Sequence, residues 1–352
     1  MKNSSLIVVY GSYGYTGKLI VDLCKQKNLQ VLLAGRNREA LASQSQQSGY
    51  PYKIVDSSDA EGLKEMLKPA ALVIHCGGPF KHTAKFMAEA CFTTQTHYSD
   101  ITGEHQVFEM MASMDKQAQD AGIMVMPGVG FDVVPSDCLA AHLKSRLPSA
   151  SHLQLAFTSG AGLSRGTKKT SVEGLGYGGL IRQNDVLTKV PLGQKVMNID
   201  FGAFRMDTLC IPWGDISTAW RSTRIPNIEV YMGATSLMIR NARMSNYIGW
   251  ALRLPSVKNF MLKKVDKGSS GPSDSRREKA KSFLWGKVRN QAGEERTSRL
   301  VTVNGYTLTA YTAVLIAEKI LNGNYKTGYQ TPSMAYGADL ILEVPDTNRV
   351  DL

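Results

Sequence analysis

Over its first 130 residues the chain alternates short apolar runs with amphipathic stretches. Strand-like runs, most of them rich in β-branched and apolar residues, fall at 5–10, 30–34, 52–55, 71–76, 96–99 and 123–126. Each is the length of a strand and too short for a buried helix. Between them lie stretches with helical spacing, near 15–27, 37–47, 59–68, 82–92 and 104–121. In the first of these Leu19, Ile20, Leu23 and Cys24 share one face. Strand and helix in strict alternation predict right-handed βαβ units and a parallel sheet covered on both faces.

Beyond residue 131 the pattern changes. Strand-like runs at 152–158, 195–206, 227–232, 282–289 and 296–303 sit among longer loops, and Asn290 to Glu294 reads as a hairpin turn. The C-terminal part returns to helix, with Ala310, Ala313, Val314, Ala317 and Leu321 on one stripe and a second short helix near 332–342. The expected class is therefore α/β: a parallel-sheet domain over 1–131, and an α+β domain with a mainly antiparallel sheet over 132–305 for substrate and dimer contacts. The helices of 306–352 are expected to pack back on the first domain.

The first strand runs directly into Gly11, Tyr13, Gly14, Tyr15, Thr16 and Gly17 and then into a helix. Gly11 permits the tight turn, Gly14 lets backbone approach a pyrophosphate, and Gly17 lets the helix pack closely on the sheet. The helix start adds unpaired N–H groups and a positive dipole end. This is a Rossmann-type dinucleotide grip. The second strand ends at Gly35-Arg36-Asn37, where an NAD site carries an acid for the ribose 2′-hydroxyl. A guanidinium there suits a 2′-phosphate instead. One charge-assisted bond contributes roughly 1.5–3 kcal/mol, about 10- to 100-fold in favour of NADP(H). Asp56, after the third strand, either reaches the adenine or caps the next helix. Cys76, Gly77, Gly78 and Pro79 close the fourth strand with backbone able to approach the cofactor's ribose or nicotinamide.

Charge and cysteine usage narrow the class. The net charge of +11 resides wholly after residue 150, since 1–150 hold 14 basic and 14 acidic side chains. Residues 230–265 contain no acid, but include Arg240, Arg243, Arg253, Lys258, Lys263 and Lys264 among apolar and aromatic neighbours. Such a segment either presents a solvated basic face or meets an anionic membrane surface or a phosphorylated acyl substrate. No nucleic-acid module, P-loop or HExxH is present. Cys138 and His142, four apart on a helix, read as core rather than as a metal site, and no metal is expected. No apolar run reaches membrane-spanning length. Five cysteines without a CxxC pair suit a reducing, cytoplasmic setting, with peripheral membrane contact through 230–265.

Taken together, Gly11 to Gly17, Ala34 to Arg36, Gly78 to Phe80, His97 to Glu104 and Pro127 to Asp137 resemble the saccharopine dehydrogenase-like oxidoreductases, and more closely the subgroup with the trans-acting enoyl reductases. The resemblance implies hydride transfer from NADPH to a C=C bond of an enoyl thioester or to a C=N bond of an amino-acid imine. A nucleotide-binding, membrane-associated protein without catalysis is the remaining alternative. A reductase needs a proton donor beside the cofactor. Tyr98, His97, Asp100 and Asp132 are the candidates, Tyr98 first because a phenol can donate near neutral pH. The expected partners are a small-molecule or acyl substrate and a second copy of the chain.

Overall fold

The computed structural model describes residues 4–160, 162, 164–268 and 271–352. In chain order the first elements are β1 (Ile7–Tyr10), α1 (Tyr15–Gln26), β2 (Val31–Gly35), α2 (Arg38–Ser48), β3 (Tyr52–Ile54) and α3 (Ala60–Leu67). Then come β4 (Leu72–His75), α4 (Phe80–Thr94), β5 (His97–Asp100), α5 (His105–Ser113), α6 (Asp115–Asp120), β6 (Met124–Met126) and α7 (Val134–Arg146). The middle part adds β7 (His152–Ser159), α8 (Arg165–Gly174), β8 (Gly179–Gln183), β9 (Val186–Val190), β10 (Val196–Asp200), β11 (Arg205–Cys210), α9 (Asp215–Thr223) and β12 (Asn227–Gly233). The remainder is α10 (Ser236–Leu252), α11 (Pro255–Asp266), α12 (Asp274–Lys279), β13 (Lys281–Arg289), β14 (Glu295–Val303), α13 (Gly305–Leu321), β15 (Gly328–Tyr329), α14 (Pro332–Tyr336) and β16 (Asn348–Asp351).

The chain divides into two compact units, Met1–Val134 with Tyr306–Ala335, and Pro135–Gly305 with Tyr336–Leu352. The first holds an all-parallel sheet in the order β15-β6-β5-β4-β1-β2-β3. All four residues of β1 and of β4 are buried, as expected of central strands covered on both faces. Gly328 and Tyr329, too short to register as a strand in the sequence, extend the sheet beside β6. The helical stretch at 104–121 is two helices rather than one, because the backbone departs from helical geometry at Met114 (φ −95°, ψ 10°).

The second unit is built on a mixed sheet ordered β10-β11-β12-β7-β13-β14-β16, with β8 joined to β12 and β9 to β8, and among the described residues β12 and β7 are its one parallel pair. Ala156, Tyr231 and Trp285 form one core cluster with Ile181, Ile199 and Phe201. On α7, Leu139 and Leu143 lie close over Gly286, where an added Cβ would stand 2.6 Å from Leu143 Cδ1. Two features depart from the sequence pattern. The run 195–206 is not one strand but the two strands of a hairpin, turned where Asp200 accepts from the N–H of Gly202 at 2.8 Å. The hairpin β8–β9 turns at Asn184 and Asp185, both at positive φ (49° and 67°). Such a pair suits a two-residue hairpin turn. The C-terminal part does not pack on the first unit throughout: Tyr306–Ala335 joins it, whereas Tyr336–Leu352 joins the second unit, where β16 adds to the edge of β14.

Candidate functional site

The site is assembled along the carboxyl edge of the parallel sheet. Gly11 turns the chain out of β1 at φ +75°, and a Cβ there would stand 2.9 Å from the backbone nitrogen of Gly77. The loops after β1 and β4 therefore approach each other closely through backbone at Gly11 and Gly77. A Cβ on Gly17 would lie 2.5 Å from the Gly11 carbonyl oxygen and 2.7 Å from that of Ser12. Gly14 is the N-cap of α1, its N–H donating to Gly11 O at 3.0 Å. No side chain caps α1 through its N-cap residue, and no acid stands in its first turn. This start of a helix suits an anionic group.

The loop is tied from behind. Buried Ser12 donates its hydroxyl to Gln44 Oε1 at 2.7 Å, and Gln44 Nε2 donates back to Ser12 O at 3.0 Å. Tyr13 leans over Gly35, where a Cβ would meet its ring carbon Cε1 at 2.6 Å. Tyr15 packs edge-on against Tyr306 at 5.0 Å, while Thr16 lies in the first turn of α1. Arg36 stands exposed just beyond β2. Its neighbour Asn37 takes the local duty of capping α2, accepting from Ala40 N–H at 2.9 Å. Asp56 is exposed and accepts from the N–H and hydroxyl of Ser58 at 2.9 and 2.7 Å. These bonds, more than the nearby Arg36 charge, hold its carboxyl below its usual range. The cap of α3 is Asp59 instead, accepting from Gly62 N–H.

Cys76, Gly77, Gly78 and Pro79 connect β4 to α4. His75, wholly buried, supports this turn: its Nε2 lies 2.9 Å from the Thr83 hydroxyl, which donates to Gly77 O at 2.9 Å. Burial pushes the imidazole down to about 3, so it is neutral at physiological pH. Burial likewise raises the Cys76 thiol, which leaves it a packing group rather than a nucleophile. Glu104 reaches back from the loop after β5. Its two oxygens accept from the N–H groups of Phe80 and Lys81 at 2.9 and 3.0 Å, closing the start of α4.

The four donor candidates separate into distinct environments. Tyr98 is wholly buried and its hydroxyl donates a hydrogen bond to Asp100 Oδ2 at 2.6 Å; burial, and then the Asp100 carboxylate, raise its pKa, so it keeps its proton. Asp100 Oδ1 accepts from Thr102 and Gly128 N–H groups at 3.0 and 2.9 Å. Burial lifts this carboxyl to about 6 against the lowering effect of those bonds. His97 accepts from Met124 N–H through Nδ1 at 2.9 Å. Asp132, in the turn after β6, is only partly covered by neighbouring atoms. A Cβ on Gly103 would stand 2.7 Å from its Oδ2. Desolvation, and then the Glu104 charge, lift Asp132 to about 7.

Sequence reasoning missed the His75–Thr83 support, the Ser12–Gln44 tie and the Glu104 cap. The one signal available was Gln44 itself, a polar residue three positions after buried Leu41 on the inward face of α2.

An all-parallel sheet in this order, a glycine turn that excludes side chains and an uncapped helix start together define a dinucleotide-binding Rossmann domain. Residues 7–126 match the family model described as saccharopine dehydrogenase NADP binding domain. Across the chain, 271 residues are 27% identical to a lipid droplet localized protein of Caenorhabditis elegans, covering 69% of this chain and 63% of that one. A saccharopine dehydrogenase-like oxidoreductase of Mus musculus is 27% identical over 50% of this chain and 47% of its own length. A trans-acting enoyl reductase of Mycobacterium ulcerans (strain Agy99) is 31% identical over 40% of this chain and 35% of its own. The matched segments thus span less than two thirds of these curated relatives. The fold is shared with the saccharopine dehydrogenase (L-Glu forming) of Saccharomyces cerevisiae, at a TM-score of 0.68 and 13% identity over 99% of this chain and 100% of that one.

Proposed function

We propose that the protein is an NADPH-dependent oxidoreductase that reduces the C=C bond of an enoyl thioester, with Asp132 as proton donor. The observation that carries the reading is the row of groups along one sheet edge. Gly11 meets Gly77, Glu104 caps the helix that follows Gly77, and Asp132 lies against Gly103, the residue before Glu104. Strands β1, β4, β5 and β6 are neighbours, so this row spans about 14 Å at the usual strand spacing. When bound, NADPH supplies the hydride. The cradle from Gly11 to Gly17 would hold its pyrophosphate, Arg36 its 2′-phosphate, and the backbone of Cys76 to Pro79 its ribose and nicotinamide.

The protein must then orient the substrate and hold a proton where negative charge develops. Tyr98 and Asp100 are engaged with each other and with the backbone, and they fix the loops after β5 and β6. Asp132 keeps a proton on its carboxyl up to near neutral pH and is the group suited to release it. The enoyl reading is supported by the mycobacterial relative's name and by the basic, apolar second half of the chain. The cytoplasm is the compartment that five free thiols fit.

The test is NADPH oxidation by the purified chain with a trans-2-enoyl thioester and, separately, a cyclic imine. Turnover of the thioester with a rate that declines as pH rises through about 7, and a loss of about 100-fold or more in Asp132→Asn, is the expected result. Turnover of the imine alone assigns the C=N alternative. A pH profile unchanged in Asp132→Asn removes Asp132 from the chemistry.

A further inference from the structure

Helices α10 and α11 carry apolar side chains on the wrong side. On α10 the face made by Ile239, Ala242 and Gly249 is buried against the second unit. The opposite face should then be polar. Instead Leu237, Met244 and Ile248 recur along it at helical spacing, exposed, with Tyr247 (83% exposed) on one flank, and Trp250 (67%) stands exposed in the last turn of the helix. On α11 no residue is buried, and Phe260 (71% exposed) points outward between Lys263 and Lys264. Half of the exposed large apolar side chains among the described residues fall between 236 and 260. A soluble surface rarely carries such a patch without an occupant.

The charge around the patch says which occupant fits. No acid stands between 230 and 265, whereas six Arg and Lys do. A second copy of the chain meeting this face through a two-fold axis would set the patch against itself, basic group against basic group. An acidic surface is complementary. Indole, phenol and phenyl rings ringed by Lys and Arg are the side chains that favour the headgroup region of a bilayer. Their stems can lie along acyl chains while their charges meet phosphates and carboxylates. No helix among the described residues is long and apolar enough to cross a membrane, so contact of this kind lies in the plane of the surface.

We infer that the outward face of α10 and α11 docks on an anionic phospholipid bilayer, Trp250, Tyr247 and Phe260 entering the interface and Arg240, Lys263 and Lys264 meeting lipid charge. The experiment is co-sedimentation of the full chain with vesicles of phosphatidylcholine, alone or with about one part in three phosphatidylserine. Expected is binding at least roughly tenfold tighter to the anionic vesicles, weakened by salt. The pair Tyr247→Ser and Trp250→Ser abolishes it, and the pair Arg240→Gln and Lys263→Gln weakens it by about tenfold or more. All four positions are exposed, so melting temperatures stay at the parent value, which separates lost docking from lost folding. Three results overturn the inference: no binding to either vesicle, binding that both double variants retain, or self-association of the parent that Tyr247→Ser and Trp250→Ser abolish, which assigns the face to a second copy.

Discussion

Helices α1 and α4 start from neighbouring strands at the same edge of the same sheet, yet their first turns are treated in opposite ways. The start of α1 is built from glycine, with no acid in its first turn and a backbone cradle that a single Cβ would fill. The start of α4 is closed by the carboxylate of Glu104, which arrives from another strand's loop to take two N–H groups. Each helix dipole attracts an anion. In α4 the protein supplies its own, and in α1 it leaves room for a ligand's. The start of α1 is thus the one of the two that the proposed pyrophosphate site can use, because that of α4 already holds a carboxylate.

The comparison breaks most sharply at Gly17. In Gly17→Ala the new methyl group meets two backbone oxygens that belong to the turn itself, so the cradle must open or the helix must shift. NADPH affinity, read by titration of protein fluorescence or by calorimetry, is expected to fall by about 100-fold or more. Arg36→Ala tests the far end of the same ligand. It should weaken NADPH by about 10- to 100-fold and leave NADH unchanged, because only the 2′-phosphate is lost as a partner.

Glu104→Gln makes the smallest change and sharpens the contrast. It removes the charge from the start of α4 and should lower stability by about 1 kcal/mol, seen as a lower melting temperature. NADPH affinity should hold, since α1 is untouched. The Glu104 charge also raises Asp132, so the decline of activity with rising pH should move to lower pH in this variant. A large loss of NADPH affinity would show that the two helix starts are not independent.

The parallel sheet and its cradle were legible because each rests on local pattern. The β-branched runs, the helical spacing of Leu19, Ile20, Leu23 and Cys24, and the spacing of Gly11, Gly14 and Gly17 each carry their meaning within a few residues. What stayed hidden depends on residues far apart in the chain. Glu104 looked like the beginning of its own helix, and its side chain serves another 24 residues away. Tyr98 and Asp100 looked like free polar groups at a strand end, but only the fold shows that each engages the other. Two hairpins of the second unit, β8–β9 and β10–β11, escaped for a different reason, whereas the β13–β14 hairpin turns where the sequence places it. Their turns, at Asn184-Asp185 and around Gly202, carry weak signals amid residues that read equally well as strand or loop.

At the end of β2 two adjacent residues have separate obligations. Asn37 holds the fold by capping α2, and Arg36 beside it holds nothing that the helix needs. A mutation at position 36 is therefore expected to be nearly invisible to folding and, on the function proposed above, to register in the choice of nucleotide. If Arg36 is the residue that meets the 2′-phosphate, selection can act on the choice of cofactor at this one position without disturbing the helix start that Asn37 holds.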